Sequence, residues 1–292
     1  MQKRLPNIDI PKQDLKKMIE HPFDFGGEAL ICHGYDNNTL YKIFSDCRKR
    51  SSFSFHHLGE ISTMPDSKFQ KIKMLYEMQL PNSVIPVASI TYNGELIGYE
   101  MTYDKDDVPL SRPKNYENRA EIIRQGLQSQ EILEMFSRRG VVYGDVATRN
   151  ILFNLRTAKL KFCDMDNAQI GYLPIEAKDY FLDNYIFERK GVDSTVDAYM
   201  HNIMIMNQLG VELYDCLLSD DYFLEEFDEK ALPILKGMRD ISNFNGEYAV
   251  QYVKKKVLFA FLCRVRGFFL IAQRKVEHTE NVFLMRTPFL SL

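Results

Sequence analysis

A chain of 292 residues, 45% hydrophobic and 26% charged, has the make-up of an ordinary globular protein and excludes a disordered or fibrous one. The net charge of −3 argues against a nucleic-acid-binding surface, because neutralising backbone phosphates takes a basic excess. The five cysteines are widely spread with no C-x-x-C pair, which suggests neither a disulfide framework nor a zinc site and suits a reducing cytoplasm.

The opening stretch MQKRLPNIDIPKQDL has no apolar run of the kind a signal peptide needs. The short basic runs at 12–17 and 254–256 read as solvated helix faces ahead of binding patches. Strand-like runs follow at 29–32, 39–44, 84–91 and 96–101. Asn93-Gly94 between the last two is a strong hairpin signal. One helical pattern, 67–80, interrupts the strands and stops at Pro81. A polar stretch from Thr102 to Ser111, carrying Pro109, reads as a hinge.

Beyond it the texture turns helical. Residues 115–139 carry apolar side chains at helical spacing with Gly140 as a stop. Residues 197–209 are apolar almost all round, which marks a buried helix. Helical patterns also cover 222–238 and 247–276. The most apolar stretch, 257–272, is broken by Arg264, Arg266 and Gly267 and is too short to span a bilayer. The coarse expectation is α+β: a small strand-rich lobe with one helix over 1–101, then a larger helical lobe over 102–292.

The most informative stretch is Val141-Val142-Tyr143-Gly144-Asp145-Val146-Ala147-Thr148-Arg149-Asn150-Ile151. An apolar lead-in, an Asp, an Asn five residues on and an apolar exit predict a loop held at both ends by strands. Fourteen residues past Asn150 comes Asp164, in Phe162-Cys163-Asp164-Met165-Asp166. That distance allows a hairpin that returns beside the first loop, so that three oxygen-bearing side chains converge. Phosphoryl transfer needs such a set: one carboxylate for the attacking hydroxyl, and two further oxygens for magnesium on the phosphates.

The segment resembles the catalytic loop of protein kinases, H-R-D-x-x-x-x-N, and especially the D-L-A-A-R-N form of tyrosine kinases. Cys163-Asp164-Met165-Asp166 is similar to the metal-binding D-F-G segment with Asp for Gly. The resemblance implies a bilobal protein-kinase-like fold, an antiparallel sheet in the small lobe, and ATP with Mg2+ as cofactors. It implies Asp145 as the base or hydroxyl-orienting carboxylate, Asn150 and Asp164 as magnesium ligands, and Arg149 as a contact of the transferred phosphate. An Asx-capped turn is the plainer account of Asp145 and Asn150.

Lys42, central in Thr39-Leu40-Tyr41-Lys42-Ile43-Phe44, matches the lysine that bridges the nucleotide's phosphates; an edge-strand lysine facing solvent is the alternative. Gly26 and Gly27, in Asp24-Phe25-Gly26-Gly27-Glu28-Ala29, resemble a degenerate phosphate-covering loop, or form a plain turn. Glu77 is the expected ion-pair partner of Lys42, with Glu60 as the other choice. Met101 corresponds to the gatekeeper, and backbone groups of Thr102 and Asp104 to the adenine contacts. Asp197 matches the aspartate that holds the catalytic loop through backbone amides, or caps its own helix.

Tyr143-Gly144 stands where the family has His-Arg, and no A-P-E follows before Asp197. Switching by loop phosphorylation is therefore not expected. The same Tyr143-Gly144-Asp145 with Asp164-Met165-Asp166 is also similar to motifs of aminoglycoside and choline kinases. The partners implied are ATP and a protein hydroxyl acceptor, or else a small-molecule acceptor; a nucleotide-binding pseudokinase is a third reading. Neither a nucleic-acid partner nor a membrane span is expected.

Overall fold

The computed structural model describes residues 4–25, 28–36, 38–45, 61–110, 119–177, 179–211 and 213–254. Its first hundred residues build a six-stranded sheet: β1 (Asn7–Asp9), β2 (Asp24–Phe25), β3 (Ala29–His33), β4 (Thr39–Phe44), β5 (Pro86–Tyr92) and β6 (Glu95–Thr102), in the order β1-β5-β6-β4-β3-β2. Asn93 and Gly94 both take positive φ (52° and 79°), as a tight hairpin turn demands. All neighbours run antiparallel except β1 and β5, which pair in parallel. The expectation of a purely antiparallel sheet is corrected there, since three residues after a polar lead-in carry no strand periodicity.

The period of two along β4 decides which side chains meet which helix. Tyr41 and Ile43 join Leu30, Cys32, Ile90 and Ile97 in a core covered by Leu15 and Ile19 of α1 (Lys12–Glu20). Phe44 joins Tyr99 and Met64 on the opposite face, under Ile72 of α2 (Asp66–Met78). Lys42, one step from Tyr41 and two from Phe44, is buried on that second face. The sheet thus carries two helices where one was expected. The basic run 12–17 is indeed a helix with an exposed lysine face, but its single apolar pair at i, i+4 also anchors it to the sheet.

β7 (Asp107–Pro109) begins the chain's return and pairs with β9 (Ile151–Asn154), which pairs with β10 (Leu160–Phe162). α3 (Arg119–Arg138) ends at Gly140, whose φ of 73° is the left-handed stop the sequence indicates. β8 (Val141–Val142) pairs with β11 (Gln169–Ile170). α4 (Tyr180–Arg189) and α5 (Thr195–Gln208) follow, and every residue of α5 from Val196 to Met206 is buried, as its all-round apolar pattern indicates. α3, α5, β8, β9 and β10 share one large hydrophobic core.

Two helical expectations are corrected. The stretch 222–238 is not one helix but α7 (Asp220–Glu226), a 3-10 turn (Glu229–Ala231) and α8 (Leu232–Arg239), α6 (Leu213–Leu218) preceding them. Asp228 caps the turn by accepting from the Lys230 amide, and Pro233 sits in the first turn of α8, so the break is built into the sequence. The described part of 247–276 holds a 3-10 turn, Val250–Tyr252, rather than an α-helix; the rest lies outside the described residues. Among the described residues, no helix is long and apolar enough to cross a membrane.

Candidate active site

Two loops are held side by side by the small sheets. The first leaves β8, passes through Tyr143 to Ala147 and enters β9 by a 3-10 turn at Thr148–Asn150. The second leaves β10 and reaches β11 through a 3-10 turn at Met165–Asn167. The Cys163 amide donates to the Asn150 carbonyl at 3.0 Å, and the Tyr143 hydroxyl donates to the Cys163 carbonyl at 2.6 Å. The hairpin return expected between Asn150 and Asp164 is therefore present, and it brings Asp145, Asn150 and Asp164 to one cleft.

Asp145 is 8% exposed. Arg149 donates to its Oδ1 at 3.2 Å, and the Asn150 side-chain amide donates to its backbone carbonyl at 3.1 Å. Burial raises the Asp145 carboxyl above its ordinary range; Arg149 opposes this, while the charges of Asp164 and Asp179 add to it. A carboxylate with raised proton affinity is what a hydroxyl-orienting base requires.

Asp197 is placed as the resemblance implies. Its carboxylate accepts from the amides of Tyr143 at 2.9 Å and Gly144 at 2.6 Å. Asp197 does not cap its own helix, whose N-cap is Ser194; just before it, Asp193 Oδ1 accepts from the Thr195 amide at 2.9 Å. Burial pushes the Asp197 carboxyl up to about 7, although the two backbone donors favour the charged form. Gly144 has φ of 72°, and a Cβ there would lie 1.7 Å from Ile175 Cδ1. A side chain at the position held by arginine in H-R-D would thus sit on a left-handed backbone and have to displace the end of the Ile175 side chain.

Lys42 Nζ lies 3.0 Å from Asp164 Oδ1 and 2.9 Å from Asp166 Oδ1. The Tyr99 hydroxyl donates to the same Asp166 oxygen at 3.0 Å, and Lys68 Nζ donates to Asp166 Oδ2 at 3.2 Å. Burial alone would lower the Lys42 ammonium, but the charges of Asp164 and Asp166 outweigh it and hold it well above its ordinary value. Burial likewise works against the Asp166 carboxylate, and Lys42 and Lys68 overcome it, so that it stays ionised. Asp164 sits at φ 54°, ψ 35°, a left-handed conformation that costs a non-glycine residue about 1–2 kcal/mol.

The cleft measures about 480 Å3. Ala29, Ile31, Leu40, Val84 and Leu152 give it apolar walls, and Met101, Thr102 and Asp104 lie along its edge. Lys42, Asp145, Arg149, Asn150 and Asp164 supply its charged and polar side. Gly26, Gly27 and Glu60 fall outside the described residues. No family model matches the chain, and no curated protein matches it. What the site can do therefore rests on its own geometry.

The expected Lys42–Glu77 pair is not formed. Glu77 lines a different cleft, with Arg4, Lys73 and Tyr76, while the described partners of Lys42 are the two aspartates. The α2 residue that does reach the site is Lys68, about two and a half turns earlier on the helix, and sequence reasoning passed over it. Lys71 follows on the same buried face, in an ion pair with Glu176 at 2.9 Å whose angle is poor for a hydrogen bond. The signal was present: Lys68, Lys71, Ile72 and Leu75 form one i, i+3, i+4, i+7 stripe.

Among the described residues no three His, Cys, Asp or Glu side chains converge as ligands. Magnesium asks for less, since it binds through one or two protein oxygens with phosphate and water completing the shell. Asn150 commits its amide nitrogen to the Asp145 carbonyl, which leaves its side-chain oxygen for a hard cation. That oxygen and the Asp164 carboxylate are donors of the right chemistry.

Proposed function

We propose that the chain is an ATP- and magnesium-dependent phosphotransferase of the protein-kinase-like type, two-lobed around the cleft, transferring phosphate to Ser, Thr or Tyr hydroxyls of a protein acceptor in the cytoplasm. The observation that carries this reading is the meeting of Lys42, Asp145, Asn150 and Asp164 at one cleft, with the Asp145 loop pinned by Asp197. An Asx-capped turn at Asp145 and Asn150 needs neither Lys42 nor Asp164 nor Asp197.

In this reading the apolar walls take the adenine, and backbone groups of Thr102 and Asp104 pair with its edge. Lys42 meets the phosphates, and Asn150 with Asp164 would hold magnesium, which neutralises charge on the transferring group. Asp145 would accept the hydrogen bond of the acceptor hydroxyl and aim its oxygen at the γ-phosphorus, taking up the proton as the new P–O bond forms and the bond from that phosphorus to the β-phosphate's bridging oxygen breaks, with ADP as the leaving group. Arg149, mostly exposed at the cleft, contacts the transferred group.

A second reading, a small-molecule kinase of the aminoglycoside-phosphotransferase type, draws on the carboxylates among the cleft's lining residues, Asp24, Glu28 and Asp104, of which Glu28 is paired with Lys68 and Asp104 with Arg156. Incubation with γ-labelled ATP and magnesium, alone and with generic protein or aminoglycoside acceptors, separates the two. Label on protein hydroxyls supports the first reading, and label on the small molecule the second. Nucleotide binding without transfer to any acceptor would refute both and leave a nucleotide-binding scaffold.

A further inference from the structure

The strongest group of buried charges not used by the transfer step lies on α2. Lys68 is 2% exposed, and its ammonium meets Asp166 Oδ2 at 3.2 Å, Glu28 Oε2 at 3.0 Å and the Asn167 side-chain oxygen. We propose that Lys68 is a positioning residue of the nucleotide site: it balances Asp166 so that Lys42 is free to turn from the aspartates to phosphate. The inference rests on the phosphotransferase reading.

Asp166 is fully buried, so its charge has to be compensated whatever Lys42 does. Its two oxygens divide the work, Oδ1 taking Lys42 and the Tyr99 hydroxyl, Oδ2 taking Lys68. With Lys68 in place, a Lys42 that moves to phosphate leaves behind a carboxylate still holding one ammonium and one hydroxyl. Without Lys68, Lys42 is the only described cation on Asp166, and phosphate must compete with a buried carboxylate for it. The same ammonium ties α2 to Glu28, next to Gly27, and to Asn167, so it links the helix, the chain entering β3 and the Asp164 segment. The polarity is the reverse of the Lys42–Glu77 expectation: the helix meets the site with a lysine, and the carboxylate comes from the loop.

The test is a double-mutant cycle on the full chain, read by calorimetric titration of MgATP and by KM and kcat. Lys68→Met should weaken MgATP about tenfold or more, on the scale of one lost charge-assisted hydrogen bond, while Lys68→Arg stays within about threefold. In the Asp166→Asn background, where position 166 carries no charge for Lys68 to balance, Lys68→Met should change MgATP affinity less than about threefold. If Lys68→Met alone fails to fold, Lys68→Gln takes its place in both backgrounds and the same comparison is read. A role in packing alone predicts a lower melting temperature with unchanged affinity, and that result overturns the proposal. So does an equally large affinity loss in both backgrounds, which would put Lys68 on the nucleotide itself. Wild-type protein that binds no MgATP would overturn the phosphotransferase reading and this inference with it. Wild-type binding that Lys68→Met leaves unchanged overturns this inference alone.

Discussion

Gly144 precedes Asp145, and replacing it by alanine probes how tightly the Asp145 loop is fixed. Its φ of 72° costs a residue with a Cβ about 1–2 kcal/mol. The new methyl would also sit 1.7 Å from Ile175 Cδ1 and 2.9 Å from its Cγ1, and displacing a packed side chain costs about 1–3 kcal/mol. The backbone cannot easily yield, because the Gly144 amide is held by Asp197 at 2.6 Å. Gly144→Ala should therefore destabilise the protein by about 2–5 kcal/mol, the sum of the two effects. Urea denaturation of wild type, Gly144→Ala, Ile175→Ala and the double variant separates them. Removing the Ile175 side chain should recover the overlap part, leaving about 1–2 kcal/mol of backbone strain in the double variant. Strictly additive effects would show that Ile175 does not occupy that space. A Gly144→Ala protein as stable as wild type would refute the left-handed loop itself.

Asp164→Ala should abolish the magnesium-dependent part of the rise in melting temperature caused by ATP; in wild type the stabilisation behind that rise is about 2.7 kcal/mol at a hundredfold excess over Kd. An equal magnesium effect in both proteins would remove Asp164 from the metal site. The Asp197 carboxyl is raised in the folded chain, so the native state holds its proton more tightly than the unfolded chain. Its contribution to stability is fully present below the unfolded value near 4 and is lost as pH rises to about 7. Relative to Asp197→Asn, wild type should thus lose stability between pH 4 and 7 and run parallel above it, as thermal melts across that range will show; parallel curves throughout would contradict the buried carboxyl. Phosphatase treatment, or Tyr172→Phe at a side chain that is 85% exposed, should change turnover less than about threefold, because Ile175 fills the place where a phosphate-binding arginine would stand. A large loss restored by self-phosphorylation would show that another cation serves.

What the sequence made legible was mostly carried by local spacing. The distances from Asp145 to Asn150 and on to Asp164 set the paired loops, the single charge in the apolar run Thr39–Phe44 singled out Lys42, and Asn93-Gly94 closed the β5–β6 hairpin. Asp197 was recognisable only by its resemblance to the aspartate that opens the corresponding kinase helix; its partners are the Tyr143 and Gly144 amides. The parts that escaped depend on contacts between distant segments. Buried lysines on α2 look like a solvated face until Asp166 and Glu176, about a hundred residues away, are seen to receive them. The parallel β1–β5 pair joins three residues to a strand some eighty positions later, which no local pattern announces. Asp166 resembled a motif letter, and only its burial between Lys42 and Lys68 shows it as the anchor of the loop.

The most direct test of the phosphotransferase account is transfer of the labelled γ-phosphate by wild type and by Asp145→Asn, each first shown to be folded and to bind MgATP. The account predicts transfer by wild type and a fall of at least about a hundredfold in Asp145→Asn with nucleotide affinity kept, the scale of a positioned acid–base group. Equal transfer by the two proteins would contradict the role of Asp145, and no transfer by wild type to any hydroxyl acceptor would contradict the account as a whole.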